Sequence, residues 1–170
     1  MKLRKLVIAS LLLAIGMIMH QMTPPLVLGM KPDFSLAMMF IAIAICDDYK
    51  LTVVIGIAAG ILAAATTTFP GGQLPNIVDK IVTSQMVYLM FKIVKSKLNS
   101  QISMVIVSII GTLISGTIFL ASALFIVGLP APFVVLFLSI VIPSTIINTI
   151  ASAVLYNIVN LSLRYSHLQA

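Results

Sequence analysis

Asp79 and Lys80 are the ionisable side chains that fall inside an apolar stretch of this sequence, in the run Pro75-Asn76-Ile77-Val78-Asp79-Lys80. An ionised group at the centre of a membrane helix costs about 2.5 to 3.5 kcal/mol on insertion scales, so each needs a partner or a task. Residues at i and i+1 do not face one another on a helix. The spacing therefore predicts that the two offer one charge of each sign rather than neutralise each other, which would suit a zwitterion. The alternative reading is that Lys80 reaches along its helix to water at the interface. Asn76 and Thr83 share the helical face of Lys80, four and three residues away. Gln73 and Phe69 lie in the connection just before, and the positive end of this helix near Pro75 and Asn76 could hold a carboxylate.

Further along, two polar stripes recur at spacings of three and four: Ser108, Thr112, Ser115, Phe119 and Ser122, then Ser144, Asn148 and Ser152. Hydroxyls in such stripes are read as packing contacts between helices. Asn148 stands apart, because a mid-span amide needs several hydrogen bonds and Pro143 upstream frees a backbone carbonyl, so both a ligand and a packing role are open. His20 and Gln21 close the first apolar run, where interface anchoring is the default. Two small-residue pairs at four-residue spacing, Gly56/Gly60 and Ser10/Ala14, mark close helix contacts. The first pair is assigned to packing within the protein, and the second could also receive a partner's helix. The single cysteine, Cys46, has no companions at metal-ligand spacing and is read as a buried structural thiol.

Other chemistries lack material. There is no GxxxxGK[ST] phosphate loop, no HExxH, no glycine-flanked serine with His and Asp partners, and no carboxylate cluster on one helix. The chain has four acidic residues, Asp33, Asp47, Asp48 and Asp79, too few for membrane-embedded acid/base catalysis. No catalytic residue, metal site or cofactor is expected, and binding is the simpler function.

The elements that must position these residues follow from composition. Hydrophobic residues make up 61% of the chain and charged residues 8%, against roughly 25% charged in an ordinary soluble domain. Apolar runs near the ~20 residues that cross a bilayer recur along it. The reading is a single all-α membrane domain of six transmembrane helices at about 3–22, 34–46, 51–67, 75–91, 102–127 and 133–163. The second is short unless Leu26–Met30 extends it. The breaks are Thr23-Pro24-Pro25, Asp47-Asp48, Phe69-Pro70-Gly71-Gly72 and Gly128-Leu129-Pro130, each rich in turn formers. No small-x-small cleavage site follows the first run, so it is read as a retained span and not a signal peptide.

Charge supplies orientation. With both termini in the cytoplasm, Lys2, Arg4, Lys5, Lys50, Lys92, Lys95, Lys97 and Arg164 lie inside, leaving Lys31 and Lys80 towards the outer face. The formal charge of +6 comes without basic blocks or interleaved aromatics, so the partner surface is a bilayer and not nucleic acid. A multi-pass protein of the bacterial cell membrane is expected.

Four segments carry a resemblance over nearly the whole chain: the basic start Lys2-Leu3-Arg4-Lys5, the face from Ser10 to Ala14, the loop from Pro24 to Asp33, and the segment from Phe69 to Lys80. In these the chain resembles the substrate-binding S components of energy-coupling factor (ECF) transporters, and among them the bacterial tryptophan transport protein family. The resemblance implies that substrate is captured from outside under the loop after the first helix. It also implies delivery through a transmembrane coupling subunit and an ATPase pair, with Ser10 and Ala14 where the wider group has Ala-x-x-x-Ala. For an amino acid, Asp79 would take the ammonium, Lys80 or the helix end the carboxylate, and Phe34, Phe69 or Phe133 the ring. Gln73, Asn76, Thr83, Asn148 and Gln21 complete the expected substrate contacts. The alternatives are a vitamin-specific S component for thiamine, biotin or pantothenate, and a non-transporting assembly factor that recognises partner helices alone.

Overall fold

Apolar runs broken by proline, glycine and paired aspartates fold as a helical bundle. The computed structural model describes residues 3–24 and 31–165, and among these there are six helices and no strand. They are α1 (Leu3–Met22), α2 (Phe34–Cys46), α3 (Tyr49–Thr66), α4 (Gln73–Val94), α5 (Ser100–Ile126) and α6 (Phe133–Tyr165). Lys2, the Leu26–Met30 extension of the second span and positions 166–170 lie outside the described residues. Four helices, α1, α3, α5 and α6, are long and apolar enough to cross a membrane. The 22-residue α4 has the length but carries Asp79, Lys80 and Lys92. The protein is an all-helical membrane protein.

Helix ends depart from the expected boundaries in ways that capping explains. The third helix starts at Tyr49 because the Asp48 side chain accepts the Leu51 N–H at 3.0 Å. The fourth starts at Gln73, two residues before Pro75, since a proline in the first turn removes an N–H that has no partner within the helix anyway. The fifth starts at Ser100 under an Asn99 cap to the Ile102 N–H at 2.8 Å.

The shortest helix occupies the centre. The side chains from Ser35 to Ala44 are buried together with Cys46, and α2 contacts each of the other five helices. At 1.5 Å per residue its 13 residues reach about 20 Å, well short of a ~30 Å hydrocarbon core. Its start therefore lies within the bundle, while its finish meets the surface at Asp47, and the free backbone groups at each end need partners. Asp33 caps the start, accepting the Leu36 N–H at 3.1 Å. At the other end Asp47 adopts a left-handed conformation (φ 44°) and donates its N–H to Ile43 O. There Lys5 Nζ donates to Cys46 O and Lys95 Nζ to Ala44 O. Negative charge at the start and positive charge at the finish both oppose the helix dipole.

Small residues set the closest contact. A Cβ on Gly56 would stand 2.1 Å from Ser84 Oγ, and one on Gly60 would stand 3.1 Å from Ile77 Cα. The two glycines therefore let α3 lie against the backbone of α4 on either side of Lys80, as the internal-packing reading expects. The Ser10/Ala14 face of α1 is exposed, with Ser10 Oγ turned back to Val7 O at 2.9 Å. In α6, residues Phe137–Val141 form a π-helical stretch immediately before Ile142 and Pro143. Such a stretch inserts an extra residue per turn and shifts the face that follows.

Gly60→Leu should force α3 and α4 apart and cost about 1–3 kcal/mol, as overpacking does. The check is thermal melting in detergent followed by far-ultraviolet circular dichroism. A lowered midpoint for Gly60→Leu beside an unchanged one for the exposed Ala14→Leu is expected, and equal midpoints would refute the tight contact.

Candidate substrate site

Because α2 stops short, its first residues lie inside the bundle, beside the middle of the first half of α4. Lys80 Nζ sits there between two carboxylates, 2.7 Å from Asp33 Oδ2 and 2.6 Å from Asp79 Oδ2. Lys80 is 2% exposed and Asp79 1%. Each carboxylate is held further. Asp79 accepts Thr83 Oγ1–H and Ser115 Oγ–H, both at 2.8 Å. Asp33 accepts Ser35 Oγ–H at 2.6 Å, and His20 Nδ1 lies 3.4 Å from its Oδ1.

This corrects the expectation that Asp79 and Lys80, as sequence neighbours, would not neutralise each other. Their Cα–Cβ directions do diverge on the helix, but the four-carbon lysine stem is long enough to fold back. Nor does Lys80 reach out to interfacial water. It serves two acids at once, one cation between two carboxyl groups. Burial alone would raise the carboxyl of Asp33, which lies in the loop before α2. The Lys80 ammonium beside it outweighs that, with help from His20 and the Lys80 and Ser35 hydrogen bonds, and holds it well below its ordinary range.

A cavity opens above this cluster. Asp33, Asp79, Lys80 and His20 line its charged side, with Lys31 and Asn76 nearby. Leu36, Leu120, Ile140 and Val141 form its apolar wall. Phe69 and Phe119 meet edge to face at 5.5 Å between centroids and also border it. Thr112, Ser115, Ser144 and Asn148 bring the polar stripes of α5 and α6 to the same space.

The expected contacts thus divide. Asp79, Lys80, Asn76, Phe69 and Asn148 line the cavity, although Asn76 Nδ2 is already engaged with Gly72 O at 2.8 Å. Thr83 is buried one turn deeper and reaches the cavity through Asp79. Gln73 and Gln21 are exposed and, like Phe34, do not line it. Phe133 stacks on Phe137 at 6.3 Å instead. His20, expected at the interface, is buried beside Asp33.

Sequence reasoning missed Asp33, Ser115 and Phe119. The signal for Asp33 was its place two residues after Lys31 and one before a helix too short to cross, where an aspartate cap would lie at depth. Ser115 and Phe119 sat in a stripe read as packing, and nothing in their spacing separates a cavity wall from a helix contact.

Removing the shared cation should cost most. Lys80→Met leaves two buried carboxylates facing each other, and breaking a buried ion pair in this way costs about 3–5 kcal/mol. Asp79→Asn, which leaves the Lys80–Asp33 pair, should cost less, and adding it to Lys80→Met should recover part of the loss. Melting midpoints of the two single variants and the double variant test this coupling. Strictly additive losses would show that the three groups do not act as a unit.

Residues 2–164 match the family described as Tryptophan transporter TrpP. A probable tryptophan transport protein of Clostridium acetobutylicum is 55% identical over 164 residues, covering 96% of each chain. One of Clostridium perfringens is 49% identical over 170 residues, covering 95% of this chain and 93% of the relative. One of Bacillus subtilis is 43% identical over 166 residues, covering 98% and 96%. No solved structure matches the chain. These relatives are named as transport proteins and not as enzymes, and with a family match over almost all its residues the chain belongs to the TrpP tryptophan transporter family.

Proposed function

We propose that this chain is the substrate-binding membrane subunit for uptake of an amino acid, tryptophan above all, across a bacterial cell membrane. The observation that carries the reading is a cavity lined by two carboxyl groups that share one lysine and also by an aromatic pair and apolar side chains. An α-ammonium group meets the carboxyl groups of Asp33 and Asp79. Lys31 and the N-terminal turn of α4, whose Gly72 cap supplies no side-chain bond, are the groups suited to the carboxylate. Phe69 and Phe119 offer ring edges and faces to an indole. The names of the relatives agree with this choice of substrate.

Orientation belongs to the same proposal. Both termini face the cytoplasm, so that Lys5, Lys50, Lys92, Lys95 and Arg164 lie inside and the cavity opens outward. The chain has no phosphate loop of its own, which agrees with an ECF transmembrane coupling subunit and an ATPase pair as the energy source. The exposed Ser10/Ala14 face of α1 is the proposed docking surface for that subunit.

The test uses the absence of tryptophan from the chain, which gives it no indole fluorescence. L-Tryptophan added to purified protein should show a saturable blue shift at micromolar concentration, lost in Asp33→Asn and Lys80→Met. Thiamine or biotin should not compete. Absence of a saturable shift would reject the substrate, and competition by a vitamin would move the protein to the vitamin-specific alternative.

A further inference from the structure

The cavity has a second polar pole that the charged cluster does not serve. Asn148 of α6 is 1% exposed, and neither its Oδ1 nor its Nδ2 has a hydrogen-bond partner. Thr112 of the neighbouring α5 is 3% exposed, and its Oγ1 is likewise without one. Both side chains line the cavity. This contrasts with the charged side, where Asp33, Asp79 and Lys80 are bonded to one another. Buried amides in proteins are as a rule satisfied, so an unpartnered amide on a residue that lines a cavity is a candidate recognition group.

Its surroundings define that ligand. Ser115 and Ser144 line the cavity one turn from Thr112 and Asn148, with the apolar Leu120, Ile140 and Val141 about two turns away, and no charge in the cavity is bonded to Asn148. The two sides of α5 and α6 are brought together there by Gly116, where a Cβ would stand 2.5 Å from Val141 Cγ1. Val141 ends the π-helical stretch, so the same local distortion that brings it to the cavity precedes Asn148 by less than two turns. The Asn148 and Thr112 pair is thus a neutral acceptor and donor set in the same cavity as the ionic cluster, with Thr112 one turn along α5 from the Ser115 that bonds Asp79.

We infer that Asn148, assisted by Thr112, accepts the ring N–H of the bound indole and thereby fixes the ring's orientation and selects indole over phenyl side chains. The assignment rests on the amino-acid reading above. An indole nitrogen is a donor and nothing else, so it requires an acceptor such as Asn148 Oδ1. A phenyl ring placed in the same wall would leave that oxygen unpaired, and sites built to hydrogen-bond a substrate N–H discriminate strongly against analogues that lack it.

The decisive probe is β-(3-benzothienyl)-L-alanine, which keeps the bicyclic shape of tryptophan and replaces the ring N–H by sulfur. Affinities for it and for L-tryptophan are measured by titration calorimetry on the wild-type protein and on Asn148→Leu, with Asn148→Ala as a second variant should the bulkier side chain disturb the helix. Wild type should bind tryptophan at least ~10-fold more tightly than the sulfur analogue. Both variants should bind the two ligands within about 2-fold, chiefly by losing affinity for tryptophan, and Thr112→Val should reduce the preference in part. Equal affinities in wild type, or an undiminished preference in the variants, would overturn the assignment while leaving tryptophan binding in place. A wild-type protein that binds neither ligand would reject the amino-acid reading itself, and this assignment with it.

Discussion

A helix of 13 residues at the centre of a bundle whose other members are 18 to 33 residues long is the constraint on which the rest turns. It cannot reach both headgroup layers, and in hydrocarbon every backbone N–H and C=O must find a partner within the protein. The chain meets this need with side chains brought in from other helices. Asp33 answers at one end, and Lys5 of α1 and Lys95, the residue after α4, answer at the other. Once Asp33 is drawn down to cap α2, it needs a counter-ion at that depth, and Lys80 supplies it.

Ion pairing then settles which groups a ligand can use. Lys80 is shared by two carboxyl groups, so it is not a free anchor for an incoming anion. Thr83 and Ser115 fix Asp79 so that its carboxylate cannot turn away from the cation. The geometry is held from behind by Gly56 and Gly60, whose lack of side chains lets α3 press against the stretch of α4 that carries the cluster. Packing and electrostatics here are a single arrangement, since widening the α3–α4 contact would also shift the charges.

Much of this was legible before any coordinates. Apolar run lengths and the Pro, Gly and Asp breaks marked six helices, and the short second run was noticeable as too brief to cross. Lys80 and Asp79 stood out because a charge in an apolar run is costly, and Asn148 because an amide there needs partners. What could not be read was the three-dimensional role of side-chain length. Neighbours in sequence were judged by backbone direction, whereas a lysine stem can bend back over its own helix. Nor could one-dimensional spacing tell Thr112, Ser115 and Phe119 on a cavity wall from the same residues buried in a helix contact. Asp33 was placed at a loop boundary, and its depth follows only from where α2 sits among its neighbours.

The enclosure of α2 also bears on how the chain is made. A segment apolar on every side would ordinarily leave the insertion machinery for lipid by itself, but this one would strand its end groups in the hydrocarbon if it did. Its caps come from Lys5, near the beginning of the chain, and from Lys95, synthesised some fifty residues after α2 is complete. The contacts at the finish of α2 are therefore complete only once the chain through α4 has been made.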